Sequence, residues 1–293
     1  MTPAMKCFDT QLKDYRLDHD SFKFHHKLLG HPAMDMKHLC DVIPKLAADG
    51  NVYYSSGKLS TNANLDRAYL DHKNGLSIEE TVHRMKDVDS YIFVRGPETQ
   101  PAFKDLFAAL CSDVDVWLKL NGFGCRTIDP LMFIFVASPN SVTPFHIDRI
   151  STLLMQFQGN KTVTVFPAWD HRTVQPEVLE NYMIRSGDRP VYDPSFENLG
   201  HPFEFGPGEA IHIPFVAPHH VKNGADEVSI SLSITFHSTR SEKLKEAMFL
   251  NRLMRKRLKM RPTPVGENAR LDLRKAGTYS TYTRVRDSFK KKA

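Results

Sequence analysis

A mainly β core with flanking helices, an α+β chain, is what the sequence predicts, and three observations predict it. Between about Asp89 and His237, short apolar runs recur, most of them bounded by Gly, Pro, Asn or Asp: Tyr91 to Val94, Met132 to Ala137, Thr152 to Gln158, Thr162 to Phe166, Ala210 to Ile213 and Val228 to Phe236. Within the last of these, Val228 to Ile234 alternates apolar residues with serine, as a half-buried antiparallel strand does. Helical periodicity, by contrast, is confined to the two ends and to one interior stretch, Pro101 to Leu120, where Phe103, Phe107, Leu110 and Val114 form a stripe. Several short strands separated by turn signals predict a sandwich or barrel.

Taken in order, the chain divides into three regions. Residues 1–90 read as mostly helical with polar loops, broken at Ile43 to Leu46 and at Ser60 to Asp71; Ser77, with Glu79 and Glu80 in the following turn, marks a helix start. Residues 91–240 hold the strands. Inside them Asp170 to Gly200 is a long polar insertion with Arg172, Tyr182, Arg185, Arg189 and Tyr192; such loops build binding sites on barrels, and this one reads either as a substrate lid or as a solvated loop. Residues 241–293 return to helix, with Leu244, Met248, Leu250 or Leu253, and Leu258 among basic residues, until Pro262 and Pro264 end it.

The composition, 41% hydrophobic and 25% charged, is that of a globular protein. No run of 18 apolar residues is present, so no transmembrane helix is expected, and Met1 to Leu12 lacks the apolar centre of a secretory leader. Cys7, Cys40, Cys111 and Cys125 form no CxxC pair; they read as free thiols of a reducing, cytoplasmic setting and argue against a cysteine zinc site. Residues 241–293 carry 16 Lys and Arg against 5 Asp and Glu, so the basic balance sits at this end and the rest of the chain is net acidic. Without a nucleic-acid motif beside it, this charge reads as a solvated helix face, and neither nucleic acid nor a membrane is expected as partner.

The chemistry lies in His146-Ile147-Asp148 and in a histidine 73 residues after the first, His219. Two histidines and one carboxylate are the donor set of the non-haem Fe(II) facial triad. On a strand, residues two apart share a face, so His146 and Asp148 would point together into a barrel mouth. The third ligand is expected from a later strand, and the residues alone leave His219 and His220 as alternatives, both just after the strand-ending Pro214. His212 reads as a packed or supporting histidine. Asp18-His19-Asp20 and His25-His26 look metal-like but fall in a polar segment without supporting strands, which predicts ordinary surface use. Asp14 to Asp20 lacks the glycine of a calcium loop, and Gly206-Pro207-Gly208 is followed by no Gly-Lys-Ser/Thr and so is a turn.

Thr143-Pro144-Phe145-His146-Ile147-Asp148 and the block from Gly208 to Val221 resemble the JmjC/cupin-like Fe(II)- and 2-oxoglutarate-dependent oxygenases, in particular the branch of the asparaginyl hydroxylase inhibiting hypoxia-inducible factor and its bacterial cupin-like relatives. The resemblance implies a double-stranded β-helix (jelly-roll, cupin-like) core. It implies His146, Asp148 and His219 as metal and catalytic residues, His219 being the first of the family's doubled histidine. Lys161, 15 positions after His146, matches the family's lysine for the distal carboxylate of 2-oxoglutarate, and Thr143 its cosubstrate-contacting threonine. Ser233 is the nearest match to a polar cosubstrate-side position where the family commonly has Asn. The aromatic pair that precedes the family's distal histidine is replaced by Ala217-Pro218. The resemblance covers roughly Met132 to Phe236, and the ends do not visibly match.

The expected function is therefore an Fe(II)- and 2-oxoglutarate-dependent dioxygenase, a hydroxylase with Fe(II), 2-oxoglutarate and O2 as partners and a small molecule or protein as substrate. A homodimer through C-terminal helix packing is what the resemblance implies for assembly, with a monomer as the alternative. Two competing readings are a non-catalytic cupin that binds a ligand or regulates, and a metal-dependent cupin that oxidises without a cosubstrate.

Overall fold

The computed structural model describes residues 5–290 apart from 10, 11, 13 and 188. The first 90 residues supply β1 (Phe22–His25), α1 (Met36–Ala48), β2 (Val52–Ser55), α2 (Ala68–Asp71) and α3 (Ile78–His83). Ser77 and Glu80 form a reciprocal capping box at the start of α3, as the sequence predicts. The two strands of this region are the part the periodicity did not show. β1 is four residues long, too short to declare a period, yet Phe22 and Phe24 face inward while Lys23 and His25 face solvent.

Next come β3 (Tyr91–Arg95), α4 (Pro101–Leu120), β4 (Ile128–Ala137), β5 (Val142–Ile147), β6 (Ser151–Gln158), β7 (Lys161–Val165), α5 (Pro176–Met183), β8 (His201–Phe205), β9 (Glu209–Ile213), β10 (Pro218–Asn223) and β11 (Ser229–His237). They form two antiparallel sheets, a 7-stranded one in the order β1-β9-β6-β11-β4-β3-β2 and a 4-stranded one in the order β5-β10-β7-β8. The chain passes back and forth between the sheets, which is the jelly-roll, double-stranded β-helix expected.

Each strand of the larger sheet presents two environments. On β11, Ile230, Leu232, Ile234 and Phe236 join the main hydrophobic core, together with Leu153 and Met155 of β6, Ile134 and Val136 of β4, and Phe103, Leu110, Val114 and Trp117 of α4. The opposite face of β11 is Ser229, Ser231, Ser233 and Thr235, and every residue of the strand is buried. The alternation predicted a half-buried strand; it marks instead one apolar and one polar face, the second turned toward the smaller sheet. Serine survives there because the barrel interior supplies hydrogen-bond partners.

The insertion between Asp170 and Gly200 contains α5 and a 3-10 turn, Pro194–Leu199. Leu179, Tyr182, Met183 and Phe196 pack on Phe145, Ile147 and Phe166, so the insertion backs the outer face of the smaller sheet and is not a solvated loop. After β11 come α6 (Thr239–Leu258), whose Ala247 and Met248 join that same cluster, and α7 (Ala269–Lys290), which packs along α6. Of the apolar stripe predicted for α6, Met248 is buried and Leu258 is 63% exposed.

Candidate metal centre

His146 and His219 face each other directly, on paired positions of β5 and β10, with ring centroids 4.1 Å apart. Asp148 lies just beyond β5, with one carboxylate oxygen 3.9 Å from His146 Nε2 and the other 3.9 Å from His219 Nε2. Those gaps are too long for hydrogen bonds and within reach of two bonds of about 2.1 Å meeting at one ion. The three residues are a group whose ligand atoms all lie within 4.8 Å of one another.

The protonation state suits ligation. His146 Nδ1 lies 2.7 Å from the Pro144 carbonyl and His219 Nδ1 lies 3.1 Å from the Ala217 carbonyl. A carbonyl only accepts, so both Nδ1 atoms carry the proton and both Nε2 lone pairs point at the centre. Burial, aided by the neighbouring His146, pushes the His219 pKa down to about 4, which keeps the ring neutral. Thr152, on the inner face of β6, donates its hydroxyl to Asp148 Oδ2 at 2.8 Å and fixes the carboxylate. The insertion clamps both flanks of Asp148. Tyr182 donates its hydroxyl to the Ile147 carbonyl at 3.2 Å, and Arg149 stacks 3.7 Å over the Tyr182 ring while its Nε donates to the Tyr182 carbonyl.

Lys161 opens β7, and its side chain enters the barrel, 6% exposed. Its Nζ donates to Ser231 Oγ, which in turn donates to Gln156 Oε1 at 2.8 Å. Burial holds its pKa down to about 7, and among the described residues no carboxylate offsets that. The turn that delivers it needs glycine: Gly159 has φ +67°, and a Cβ there would sit 2.9 Å from the Val228 carbonyl.

Thr143 stands three residues before His146, a spacing that on a regular strand would turn the two apart. The β5–β10 register shifts between His219, opposite His146, and Val221, opposite Thr143, and this bulge brings both onto the inner face. Thr143 also exchanges a hydrogen bond with the Tyr91 hydroxyl of β3, whose pKa is raised by burial and by Asp148 nearby. Ser233 Oγ is buried without a hydrogen-bond partner among the described residues, one inner-face position from the Ser231 that meets Lys161.

The residues that position these groups, Tyr91, Thr152, Gln156, Ser231 and Tyr182, had no signal in any motif. Strand parity alone could have found Thr152, Gln156 and Ser231, once the inner face was known. His220 points away from the centre, 3.6 Å from Glu197 and beside Phe166 and Tyr192. His212 lies on the outer face of β9, against Phe22 and Trp117, as a packed histidine. Two surface assignments fail: the Asp18 side chain is 3% exposed, and His26 is buried with its Nε2 donating to the Gln156 carbonyl. Both follow from β1, which docks the segment on β9. His19 and Asp20 are exposed, as expected.

Among the solved structures that are similar are two of YcfD. The X-ray structure of Escherichia coli ycfD matches with a TM-score of 0.52 and 14% identity over 95% of this chain and 68% of that chain. A structure of YcfD described as a ribosomal oxygenase from E. coli in complex with cobalt and 2-oxoglutarate matches with a TM-score of 0.44 and 14% identity, over 87% of this chain and 58% of that chain. At such identity the first speaks for the fold alone. No curated protein matches the chain. A family model described as a cupin-like domain matches residues 55–242, from the end of β2 to the first turn of α6, a span that takes in all three converging side chains, His146, Asp148 and His219; this chain belongs to the cupin-like domain family.

Proposed function

We propose that this chain is an Fe(II)- and 2-oxoglutarate-dependent dioxygenase, a hydroxylase that couples decarboxylation of 2-oxoglutarate to oxidation of a substrate C–H bond. The observation that carries it is Lys161. A buried ammonium with no carboxylate partner is costly, and this one shares the barrel interior with a two-histidine, one-carboxylate cluster. A small dianionic cosubstrate that spans from the metal to the lysine removes that cost. The donor set of two imidazoles and one carboxylate fits Fe(II).

His146, Asp148 and His219 would hold one face of the metal, with the proton on each Nδ1 keeping the ring turned toward it. Lys161 would bind the far carboxylate of 2-oxoglutarate through a charge-assisted bond. Thr143, bonded to Tyr91, and the unpartnered hydroxyl of Ser233 are the further polar groups for the cosubstrate. When bound, Fe(II) and 2-oxoglutarate supply the oxidising chemistry: O2 and 2-oxoglutarate give succinate, CO2 and one oxygen atom inserted into the substrate C–H bond. Leu154, Val163, Val165 and Ile211 wall the interior and exclude water from it.

We assign oxygen chemistry to residues 91–240 and substrate choice to residues 1–90, 241–293 and the insertion, whose Tyr182 bonds the Ile147 carbonyl at the strand end next to Asp148. Among the described residues, no helix is long and apolar enough to cross a membrane. Exposed Tyr282, Val285 and Phe289 on α7 support the homodimer implied by the resemblance, which sedimentation analysis tests. The test of the activity is turnover of 2-oxoglutarate to succinate with added Fe(II) and no other substrate, with binding of each measured separately. Formation of succinate is expected; absence of both iron and 2-oxoglutarate binding overturns the proposal.

A further inference from the structure

The N-terminal segment reaches the metal centre from behind. Asp18 sits in the left-handed region, φ 54°, with its side chain 3% exposed. Its Oδ1 accepts from Ser151 Oγ at 2.7 Å and from the backbone N–H of Phe215 at 2.9 Å. Ser151 opens β6 and precedes Thr152, whose hydroxyl holds Asp148. Phe215 lies in the bend that ends at Ala217, whose carbonyl holds His219 Nδ1. One carboxylate oxygen thus ties together the two segments that orient two of the three metal ligands.

His212 completes the brace. Its Nδ1 lies 3.2 Å from the Thr152 carbonyl and must carry the proton, and its Nε2 accepts the Asp18 backbone N–H at 3.1 Å. The ring is therefore neutral, and the 3.7 Å approach of Asp18 Oδ1 to its Nε2 is a packing distance, not an ion pair. Neither bonded segment touches Asp18 in sequence; Ser151 is 133 residues away and Phe215 is 197. The left-handed backbone at Asp18 is unfavourable for a residue other than Gly and persists because these long-range bonds fix it.

We infer that Asp18 is a positioning residue for the metal centre, setting Asp148 through Ser151 and Thr152 and setting His219 through the Phe215 bend. This rests on His146, Asp148 and His219 binding a metal. Asp18→Asn keeps an acceptor oxygen and tolerates the backbone; Asp18→Gly removes the side chain and relaxes the backbone. Asp113 provides the control. It is equally buried on α4 and pins the same N-terminal segment by accepting from the backbone of Lys6, Cys7 and Phe8, with no bond toward the centre.

The experiment titrates Co(II) into the full chain and follows its visible absorption, with melting temperature measured alongside. Asp18→Gly is expected to weaken Co(II) binding by about 10- to 100-fold and to change the absorption envelope. Asp18→Asn is expected to stay within about 3-fold of wild type, and Asp113→Ala to lower the melting temperature without moving Co(II) affinity. Wild-type affinity and spectrum in folded Asp18→Gly overturn the inference, as does an equal loss in Asp113→Ala. Where Asp18→Gly does not fold, Ser151→Ala deletes one of the bonds and is expected to weaken Co(II) about 5-fold; no change there overturns the inference. A wild-type chain that binds no Co(II), or binds it unaltered in His219→Ala, overturns instead the metal reading on which the inference rests.

Discussion

The two sheets of this barrel divide the labour unequally. The smaller sheet and the strand ends beside it carry His146, Asp148, His219, Lys161 and Thr143, the groups proposed to meet a metal or cosubstrate. The larger sheet carries mostly the groups that hold them: Thr152 on Asp148, and Ser231 and Gln156 on Lys161. Tyr91, reaching Thr143 from β3, stands between the two roles. The first set consists of donor types whose chemistry is specific. The second consists of hydroxyls and an amide that any strand might carry, and it acts only through register. Substitutions of these donor groups in the smaller sheet are expected to abolish function, and substitutions on the inner face of the larger sheet to grade it.

The largest effect belongs to the ligands. His219→Ala and Asp148→Ala each remove one of three donors from a centre that has no spare among the described residues. Loss of at least about 100-fold in Co(II) affinity is expected, more than outer groups contribute. Isothermal titration checks it. Retained affinity in either variant would move the metal elsewhere in the chain.

Lys161 comes next and makes two opposite expectations. Lys161→Met removes the cation proposed for 2-oxoglutarate, so its affinity is expected to fall about 10- to 100-fold, the range of a buried charge-assisted bond. The same change is expected to stabilise the ligand-free protein. With a folded pKa of about 7 against 10.5 in the unfolded chain, the unfolded state binds more protons across that window. Stability of the wild type therefore rises with pH from about 7 toward 10.5, at up to about 1.4 kcal/mol per pH unit, and the methionine variant lacks this rise. Denaturant unfolding at a series of pH values measures it. A cupin that oxidises without a cosubstrate would keep its turnover in Lys161→Met.

What could be read from the residues follows the same line. The strand-rich centre, the helix at Pro101–Leu120 and the convergence of His146 with Asp148 were legible, because apolar periodicity and His/Asp spacing are local. Thr143 was legible only by likeness, since strand parity would have turned it away from His146; the bulge in β5 that reconciles them is set by β10, far along the chain. β1 was illegible because four residues declare no period, and with it went the burial of Asp18 and His26. The serine stripe of β11 was visible and misassigned: alternation distinguishes two faces but does not say that the polar one meets water. The insertion looked polar by composition, yet Val174, Leu179, Tyr182, Met183 and Phe196 bury together against the smaller sheet.

A graded effect is expected at Thr152. Thr152→Val keeps the volume and deletes the hydroxyl that fixes Asp148. The carboxylate then has to be ordered by the metal itself, and Co(II) affinity is expected to fall about 10-fold, the lower end of what such supporting bonds contribute. Thr164→Val, on β7 of the smaller sheet and paired with His220 on the face turned from the metal, is expected to leave it unchanged.

The smallest effect is the one that tests the boundary between the sheets. Ser231→Ala takes from Lys161 its only hydroxyl partner among the described residues and leaves the Gln156 amide oxygen one donor short. The lysine keeps its charge and stays buried, so the loss in 2-oxoglutarate affinity is expected to be that of one ordinary hydrogen bond, about 5-fold. Because the alanine variant makes the ammonium still harder to sustain without a ligand, 2-oxoglutarate binding is expected to take up a larger fraction of a proton near pH 7 than in the wild type. Calorimetry in buffers of differing ionisation enthalpy reads that fraction directly. Equal proton uptake in both proteins would mean that Ser231 does not help hold the lysine, and that the larger sheet serves the metal side of the site alone.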